Sequence, residues 1–292
     1  MILEETFTLA NGVAIPKLGL GTWRISDAET VQIVRDAIEI GYRHIDTAQA
    51  YGNEHGVGEG LRASGVARDQ VFVTTKLAAE CKTYTEANDR IDASLRELGL
   101  DHIDMMLIHS PQPWADFREG NNFFEGNLEA WRALEEAYRS GKIRAIGVSN
   151  FERADLDNLL DNGSVAPVVN QILAHVGNTP FDLIDYSRSK GILVEAYSPV
   201  AHGAALNNAK LAALAEEYGV SVAQLCIRYC LQLGLLPVPK TTSAAHMRDN
   251  AAVNFTISDA DMESLRRAEP DMDYGEASVF PVFGKRRQGV DV

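Results

Sequence analysis

Short apolar runs that each stop at a polar residue recur along the whole chain: Arg43-His44-Ile45-Asp46, Val71 to Lys76, Met105 to His109, Ile146 to Asn150, Val168 to Gln171, Leu193 to Ser198 and Leu235 to Lys240. A short continuous apolar run is the pattern of a strand buried on both faces, the kind found in parallel sheets. If every run is such a strand, each C-terminal end delivers a polar group to one shared rim, where a closed α/β barrel keeps its chemistry.

Helix-like segments separate the runs. Leu18 to Gly21 precedes a predicted helix over 28–40, Arg43 to Ile45 one over 53–64, Val71 to Thr75 one over 84–98, and Met105 to Ile108 one over 126–140. Ile143 to Val148 precedes 152–161, Val168 to Asn170 precedes 180–190, Ile192 to Ala196 precedes helices within 208–232, and Leu235 to Val238 precedes 244–252. In 84–98, Ile91, Leu95 and Leu98 recur at helical spacing while Glu86, Asp89, Arg90, Arg96 and Glu97 take the other faces, so one side packs on a sheet. Eight strand–helix units in one continuous series predict a (β/α)8 TIM barrel occupying residues 1–292 as a single domain. Asn11-Gly12 between alternating segments predicts a two-residue hairpin over Thr6 to Ile15 that caps the barrel. The long irregular stretches 110–125 and 268–292 stand where barrels place substrate loops.

An open dinucleotide-binding sheet is the competing architecture, and its glycine code is poorly met. Gly19-Leu20-Gly21 lacks the third glycine, and Gly56-Val57-Gly58-Glu59-Gly60 sits inside a helix-like segment, so both read as turn and packing glycines.

Composition narrows the partners. The 292 residues are 46% apolar, and 27 Lys plus Arg against 41 Asp plus Glu leave a net charge of −14, which argues against nucleic-acid or anionic-membrane surfaces and requires a local exception for any anionic cofactor. The basic cluster Lys285-Arg286-Arg287 reads as a solvated tail. Cys81, Cys226 and Cys230 form neither a zinc pattern nor a disulfide framework, and Met1-Ile2-Leu3-Glu4-Glu5 lacks the features of a leader, so the expected location is the cytoplasm.

Asp46, Lys76 and His109 end successive runs, and Tyr51 lies five residues beyond Asp46. A phenol is a poor acid at neutral pH unless a nearby cation lowers its pKa; Lys76 is the candidate cation, and Asp46 the ion partner that a buried ammonium needs. A neutral His109 donating from one nitrogen would hold a carbonyl oxygen beside the Tyr51 hydroxyl. Together the four describe a proton donor for a polarised carbonyl.

Gly41-Tyr42-Arg43-His44-Ile45-Asp46-Thr47-Ala48, followed by Tyr51-Gly52-Asn53-Glu54, resembles the signature of the aldo-keto reductases. Thr74-Thr75-Lys76-Leu77, Leu107-Ile108-His109-Ser110-Pro111, Gly147-Val148-Ser149-Asn150-Phe151, Glu195-Ala196-Tyr197-Ser198-Pro199 and Pro239-Lys240-Thr241 stand in the family's order. The resemblance implies carbonyl reduction with NADPH, with NADH as an alternative donor, and a catalytic tetrad of Asp46, Tyr51, Lys76 and His109. It further implies a cofactor bed of Thr22, Asp46, Ser149, Asn150, Gln171, Tyr197, Ser198, Pro199, Val200, Lys240, Thr241, Thr242, His246, Asp249 and Asn250. Tyr197 would stack on the nicotinamide, and Ser149, Asn150 and Gln171 would bind its carboxamide. Trp23 and Trp114, with Tyr51 and His109, would line the substrate site, Phe117, Phe123 and Phe124 lie in the same long loop as Trp114, and the segment Tyr274 to Phe283 would supply the last wall. A monomer is the family expectation, and the substrate a small carbonyl compound, with aldehydes, ketosugars, α-keto esters and diketones all compatible.

Two positions depart from the family. His246 stands where a permanently charged arginine is usual near the 2′-phosphate, which predicts weaker discrimination against NADH. After Gln171 the usual Glu-Tyr-His-Pro is replaced by Leu173-Ala174-His175-Val176. Two other functions fit the same fold: a cofactor-binding sensor, and a metal-dependent hydrolase using His44, Asp46 and His109, although no third closely spaced ligand accompanies His44 and Asp46 and no metal site is expected.

Overall fold

The computed structural model describes residues 1–269 and 274–283, so the basic cluster Lys285-Arg286-Arg287 lies outside the described residues. The hairpin comes first: β1 (Thr6–Thr8) pairs antiparallel with β2 (Ala14–Pro16) in the register Phe7↔Ile15. Its tip has three residues rather than the expected two, because Leu9 N donates to Val13 O (2.9 Å) and Gly12 N to Leu9 O (2.8 Å). Gly12 takes the left-handed conformation (φ 83°) of a bulged three-residue turn; Asn11 instead reaches Arg144 O through its amide (3.0 Å).

Eight parallel strands follow: β3 (Leu20–Gly21), β4 (His44–Asp46), β5 (Phe72–Leu77), β6 (Ile103–Ile108), β7 (Ile143–Ser149), β8 (Val169–Leu173), β9 (Leu193–Tyr197) and β10 (Leu236–Val238), each paired with the next in chain order. The ring closes where Gly21 bridges Lys240, with Gly19 N donating to Pro237 O and Gly21 N to Pro239 O, both at 3.1 Å. A residue in a parallel ladder directs its N–H and C=O toward the same neighbour, so the two prolines leave this seam with acceptors only from β10. The observed strands shift by one to three residues from the expected runs. The largest change extends β8 to Leu173, three residues past the expected strand end at Asn170.

The helices are α1 (Asp27–Ile40), α2 (Glu54–Ser64), α3 (Tyr84–Leu98), α4 (Phe124–Arg139), α5 (Arg153–Asn162), α6 (Phe181–Ser189), α7 (Ala209–Glu217), α8 (Val222–Gln232), α9 (Ala244–Ala251) and α10 (Asp259–Arg266), the last standing outside the eight predicted units. α3 shows how sequence makes them. Thr83 caps its N-terminus by accepting from Glu86 N, Gly99 ends it at φ 62°, and Ala87, Ile91, Ser94 and Leu98 are buried. Fully burying Ile91 and Leu98 contributes about 1.5–3 kcal/mol each.

The glycines of α2 are packing glycines, as expected. A Cβ on Gly56 would strike Asp27 O, and one on Gly58 would strike Leu98 O, so α2 lies against the start of α1 and the end of α3 at backbone distance. At the N-terminal end of the barrel, Leu9 and Ile15 from the hairpin pack with Phe72, Met105, Leu107, Val169 and Leu236, closing the interior from below. The polar groups therefore gather at the opposite end.

Candidate active site

At the C-terminal rim, β4 brings Asp46, β5 brings Lys76, and His109 is the first residue after β6. Tyr51 comes from a single 3-10 turn, Gln49–Tyr51. Asn53 locks that turn: its side-chain amide donates to Thr22 O (2.9 Å) and Ile25 O (3.0 Å), while its oxygen accepts from Thr47 Oγ1 (2.6 Å). Glu54 accepts from Thr75 Oγ1 (2.6 Å) and ties the start of α2 to β5. Asn53 and Glu54 enter the sequence reading only as motif letters; their work as clamps depends on carbonyls and hydroxyls that other segments bring to them.

Lys76 is the hub. Its fully buried ammonium donates to Asp46 Oδ1 (2.7 Å), Thr47 O (2.9 Å) and Tyr51 OH (3.3 Å). Gln171 donates from Nε2 to the other oxygen, Asp46 Oδ2 (2.8 Å), so both carboxylate oxygens are held. Burial works against the Lys76 charge, but Asp46 first, and then Tyr51 and Glu195, outweigh it and move its pKa upward. His109 is pushed well below the ordinary histidine value, first by burial and then by the Lys76 charge, and is neutral. Its Nδ1 has no hydrogen-bond partner among the described residues, and its ring stands edge-on to Tyr51 (5.6 Å) and Trp114 (5.1 Å).

One electrostatic expectation is overturned. Lys76 does lower Tyr51, but burial raises it by more, so the net direction is upward. The charge that should acidify the phenol sits in the same dry environment that opposes phenolate formation, and Asp46 offsets part of it. Tyr51 therefore stays protonated, which is the state a proton donor needs.

The next strand ends interlock. Ser149 Oγ donates to Gln171 O (2.9 Å), and Asn150 Nδ2 donates to His109 O (3.0 Å) and Ser149 Oγ (3.1 Å). Tyr197 OH donates to Asn150 Oδ1 (2.7 Å), leaving a half-buried ring at the end of β9. Asn150 is held at φ 62°, Ser198 at 52°, Ala201 at 51° and His202 at 55°, a concentration of left-handed backbone that non-glycine residues keep only where surroundings enforce it. Thr22 Oγ1 is committed to Asp46 O (2.9 Å) and is fully buried. Pro199 is buried, with Ser198 and Val200 half-buried beside it.

Beyond β10, Lys240 and Thr242 are exposed, and Thr241 Oγ1 accepts from Ser243 N (3.1 Å). On α9, His246 and Arg248 are both exposed; Asp249 accepts from Ser221 Oγ (2.7 Å), and Asn250 is buried. Sequence reasoning missed Arg24, whose charge helps hold Lys240 below the ordinary lysine value, after partial burial. His202 is lowered to about 4, first by burial and then by Arg24, His175 and Lys240. Arg24 and Lys240 thus place two cationic side chains together on one edge of a chain of net charge −14, with a neutral His202 beside them, a local exception that suits an anion. Only closure of β3 against β10 brings Arg24 near Lys240, so no local signal marks it.

Aromatic rings form the mouth. Trp23 meets Phe280 (4.9 Å), Phe283 (5.9 Å) and His202 (5.1 Å), and Trp114 meets Phe117 (5.6 Å). The segment Tyr274 to Phe283 thus stands against Trp23. Its anchor is the Tyr274 hydroxyl, 2.9 Å from His175 Nε2 and from Asn178 Nδ2. Phe123 and Phe124 differ from expectation, since they cap and begin α4. The metal-ligand reading gains no support: His44 Nε2 faces Thr74 Oγ1 (2.9 Å), Asp46 faces Lys76 and Gln171, and among the described residues no group of three His, Cys, Asp or Glu is arranged to hold a metal.

A model of the Aldo/keto reductase family matches residues 17–270. The chain is 40% identical over 265 residues to glyoxal reductase of Bacillus subtilis, covering 90% of this chain and 92% of that protein. It is 39% identical over 273 residues to the 9,11-endoperoxide prostaglandin H2 reductase of Trypanosoma cruzi, covering 92% and 93%. Among solved structures, an aldo-keto reductase of Bombyx mori in complex with NADP superposes with a TM-score of 0.85 at 33% identity, covering 96% of this chain and 99% of that one.

Proposed function

The chain belongs to the aldo/keto reductase family, and from that premise we propose that it reduces aldehydes and ketones to alcohols with NADPH, Tyr51 being the proton donor. The observation that carries the reading is the buried Asp46–Lys76–Tyr51 chain, at 2.7 and 3.3 Å, opening beside a neutral His109 onto an aromatic mouth. A dinucleotide phosphate suits the basic edge of Arg24 and Lys240, and a nicotinamide suits the half-buried Tyr197 ring with Asn150 and Ser149 beside it.

The chemistry drawn from the cofactor is a hydride for the carbonyl carbon. Tyr51 gives its hydroxyl proton to the carbonyl oxygen as negative charge develops there, and Lys76 steadies the resulting phenolate. Asp46, fixed by Gln171, keeps Lys76 charged and aimed. His109 orients the oxygen without competing for the proton, because its ring is neutral. Trp23, Trp114 and Phe117 exclude water and favour small or apolar carbonyls. Small dicarbonyls are the first substrates to try, since the Bacillus relative is named for glyoxal. The reading is completed by a single domain acting as a monomer in the cytoplasm. Cys81, Cys226 and Cys230 are buried free thiols, and no described helix is long and apolar enough to cross a membrane.

Loss of NADPH absorbance in the presence of glyoxal, methylglyoxal and a panel of aldehydes tests the activity, with and without a chelator. Chelator-insensitive turnover is the expected result; tight NADPH binding without turnover of any carbonyl would favour a sensor instead. Cofactor choice gives a separate prediction. His246 is exposed and replaces a fixed charge, so the wild-type preference for NADPH over NADH is expected to be modest, and His246→Arg is expected to raise it about tenfold or more, the worth of one charge-assisted hydrogen bond. Ratios of kcat/KM for the two cofactors decide it, and a large wild-type preference unchanged by the substitution would refute it.

A further inference from the structure

Beneath the Asp46–Lys76 pair lies a second carboxyl that the mechanism above leaves unused. Glu195 is the third residue of β9, in register with Gln171 on β8 and Leu236 on β10. It is fully buried, and neither carboxyl oxygen has a hydrogen-bond partner among the described residues. From β4 it is faced by His44, whose Nε2 lies 3.8 Å from Glu195 Oε1, and by Asp46. From β5 it is faced by Lys76, and the charge of Glu195 also reaches Tyr51. Gln171 spends its amide on Asp46 Oδ2 and is the smallest of the influences on Glu195, while β10 presents the apolar Leu236.

Charge in this interior is already balanced, one carboxylate on Asp46 against one ammonium on Lys76. A further anion there would have no hydrogen-bonded donor among the described residues, and the nearest cation, Lys76, is already paired with Asp46. His44 does not supply one: burial, and then the Lys76 charge, hold it down to about 3, and its Nδ1 is without a partner against Gly19, where a Cβ would stand 2.7 Å from that nitrogen. Burial, and then the like charge of Asp46, push Glu195 up to about 8.

We propose that Glu195 is a positioning residue of the reduction: a neutral carboxylic acid that keeps the buried Asp46–Lys76–Tyr51 unit at zero net charge and that, once ionised, draws the Lys76 charge away from Tyr51. The proposal rests on the carbonyl-reductase reading. An ionised Glu195 raises both Lys76 and Tyr51, so the ammonium is held more tightly while the phenol becomes a weaker acid. Reduction therefore slows as Glu195 loses its proton, although Glu195 touches neither substrate nor cofactor.

The test is the pH dependence of kcat at saturating carbonyl and NADPH. Wild type is expected to lose activity as pH rises through about 8, with Glu195→Asp keeping that falling limb. Glu195→Gln, which keeps the shape of the neutral form without its proton, is expected to move the limb upward by about one pH unit or more. An unchanged limb in Glu195→Gln overturns the proposal.

One measurement on wild type needs neither a folded variant nor turnover. Because the folded-state pKa of about 8 lies above the ordinary 4.5, the folded form holds the proton more tightly, so this group's contribution to stability falls as pH rises between those values. Infrared spectra are expected to show a protonated-carboxyl stretch that disappears as pH passes about 8, and its absence at neutral pH overturns the proposal even if the enzyme is active. A folded wild type that shows the band but reduces no carbonyl would instead overturn the reading on which the proposal rests.

Discussion

Tyr51→Phe is expected to lower kcat for carbonyl reduction by about 10²–10⁴-fold, the usual contribution of a positioned general acid. Phenylalanine keeps the ring that lies under the Lys76 ammonium at 4.9 Å and edge-on to His109 at 5.6 Å, so the loss isolates the hydroxyl. That hydroxyl is the terminus of the buried Lys76 chain, and none of the remaining polar groups is a suitable replacement. His109 is neutral and held far below its ordinary pKa, so an imidazolium donor is unavailable at neutral pH. Lys76 is committed to Asp46 Oδ1 and Thr47 O. NADPH binding, followed by quenching of tryptophan fluorescence, is expected to change little, because the groups suited to the dinucleotide lie on other strand ends. A variant turning over within tenfold of wild type would sink the assignment of Tyr51 as donor.

The second large effect is on stability as well as rate. Lys76→Met removes the cation from a pair whose side chains are 1% and 4% exposed, leaving the Asp46 carboxylate with only the Gln171 amide. Breaking a buried pair from one side costs about 3–5 kcal/mol, more than forming the pair contributes, because the remaining charge stays desolvated. Thr47 O loses its donor at the same time. Urea unfolding midpoints report this loss, and the double variant Asp46→Asn with Lys76→Met is expected to regain part of it, since the uncompensated charge is gone. Activity is expected to stay absent in both. Without Lys76 nothing opposes the burial that already raises Tyr51, so the phenol becomes a still weaker acid. A Lys76→Met protein as stable as wild type would show that the pair is far more hydrated than its burial implies.

Much of this was legible before any fold was in view. Helix 84–98 appears as Tyr84–Leu98 because its cap, its apolar spacing and its terminal glycine all act within a few residues of one another. The rim residues were legible for a similar reason: a buried strand tolerates a polar side chain mainly where it emerges, so the end of an apolar run marks a place on the barrel. The hairpin was found and its tip misjudged, because the bond from Leu9 N to Val13 O leaves three residues at the tip, where Asn11 bridges Val13 N and the distant Arg144 O. Strand limits slipped where pairing rather than composition decides them, as at β8, whose last residue Leu173 is in register with Tyr197.

By itself the sequence determined the repeating strand–helix order, the rim on which Asp46, Lys76, His109, Asn150 and Lys240 stand, and the chemical kinds of groups placed there. Local periodicity and the preference of polar groups for strand ends are enough for that. Tertiary structure alone decided how those groups affect one another. Arg24 lies near Lys240 only because β3 closes on β10. Glu195 shares its interior with His44 and Asp46 only because strands far apart in sequence face a common axis. Whether Tyr51 is made a stronger or a weaker acid depends on the balance between desolvation and one ammonium. Such balances are sums over distances and burial in three dimensions, and a linear order of residues contains neither.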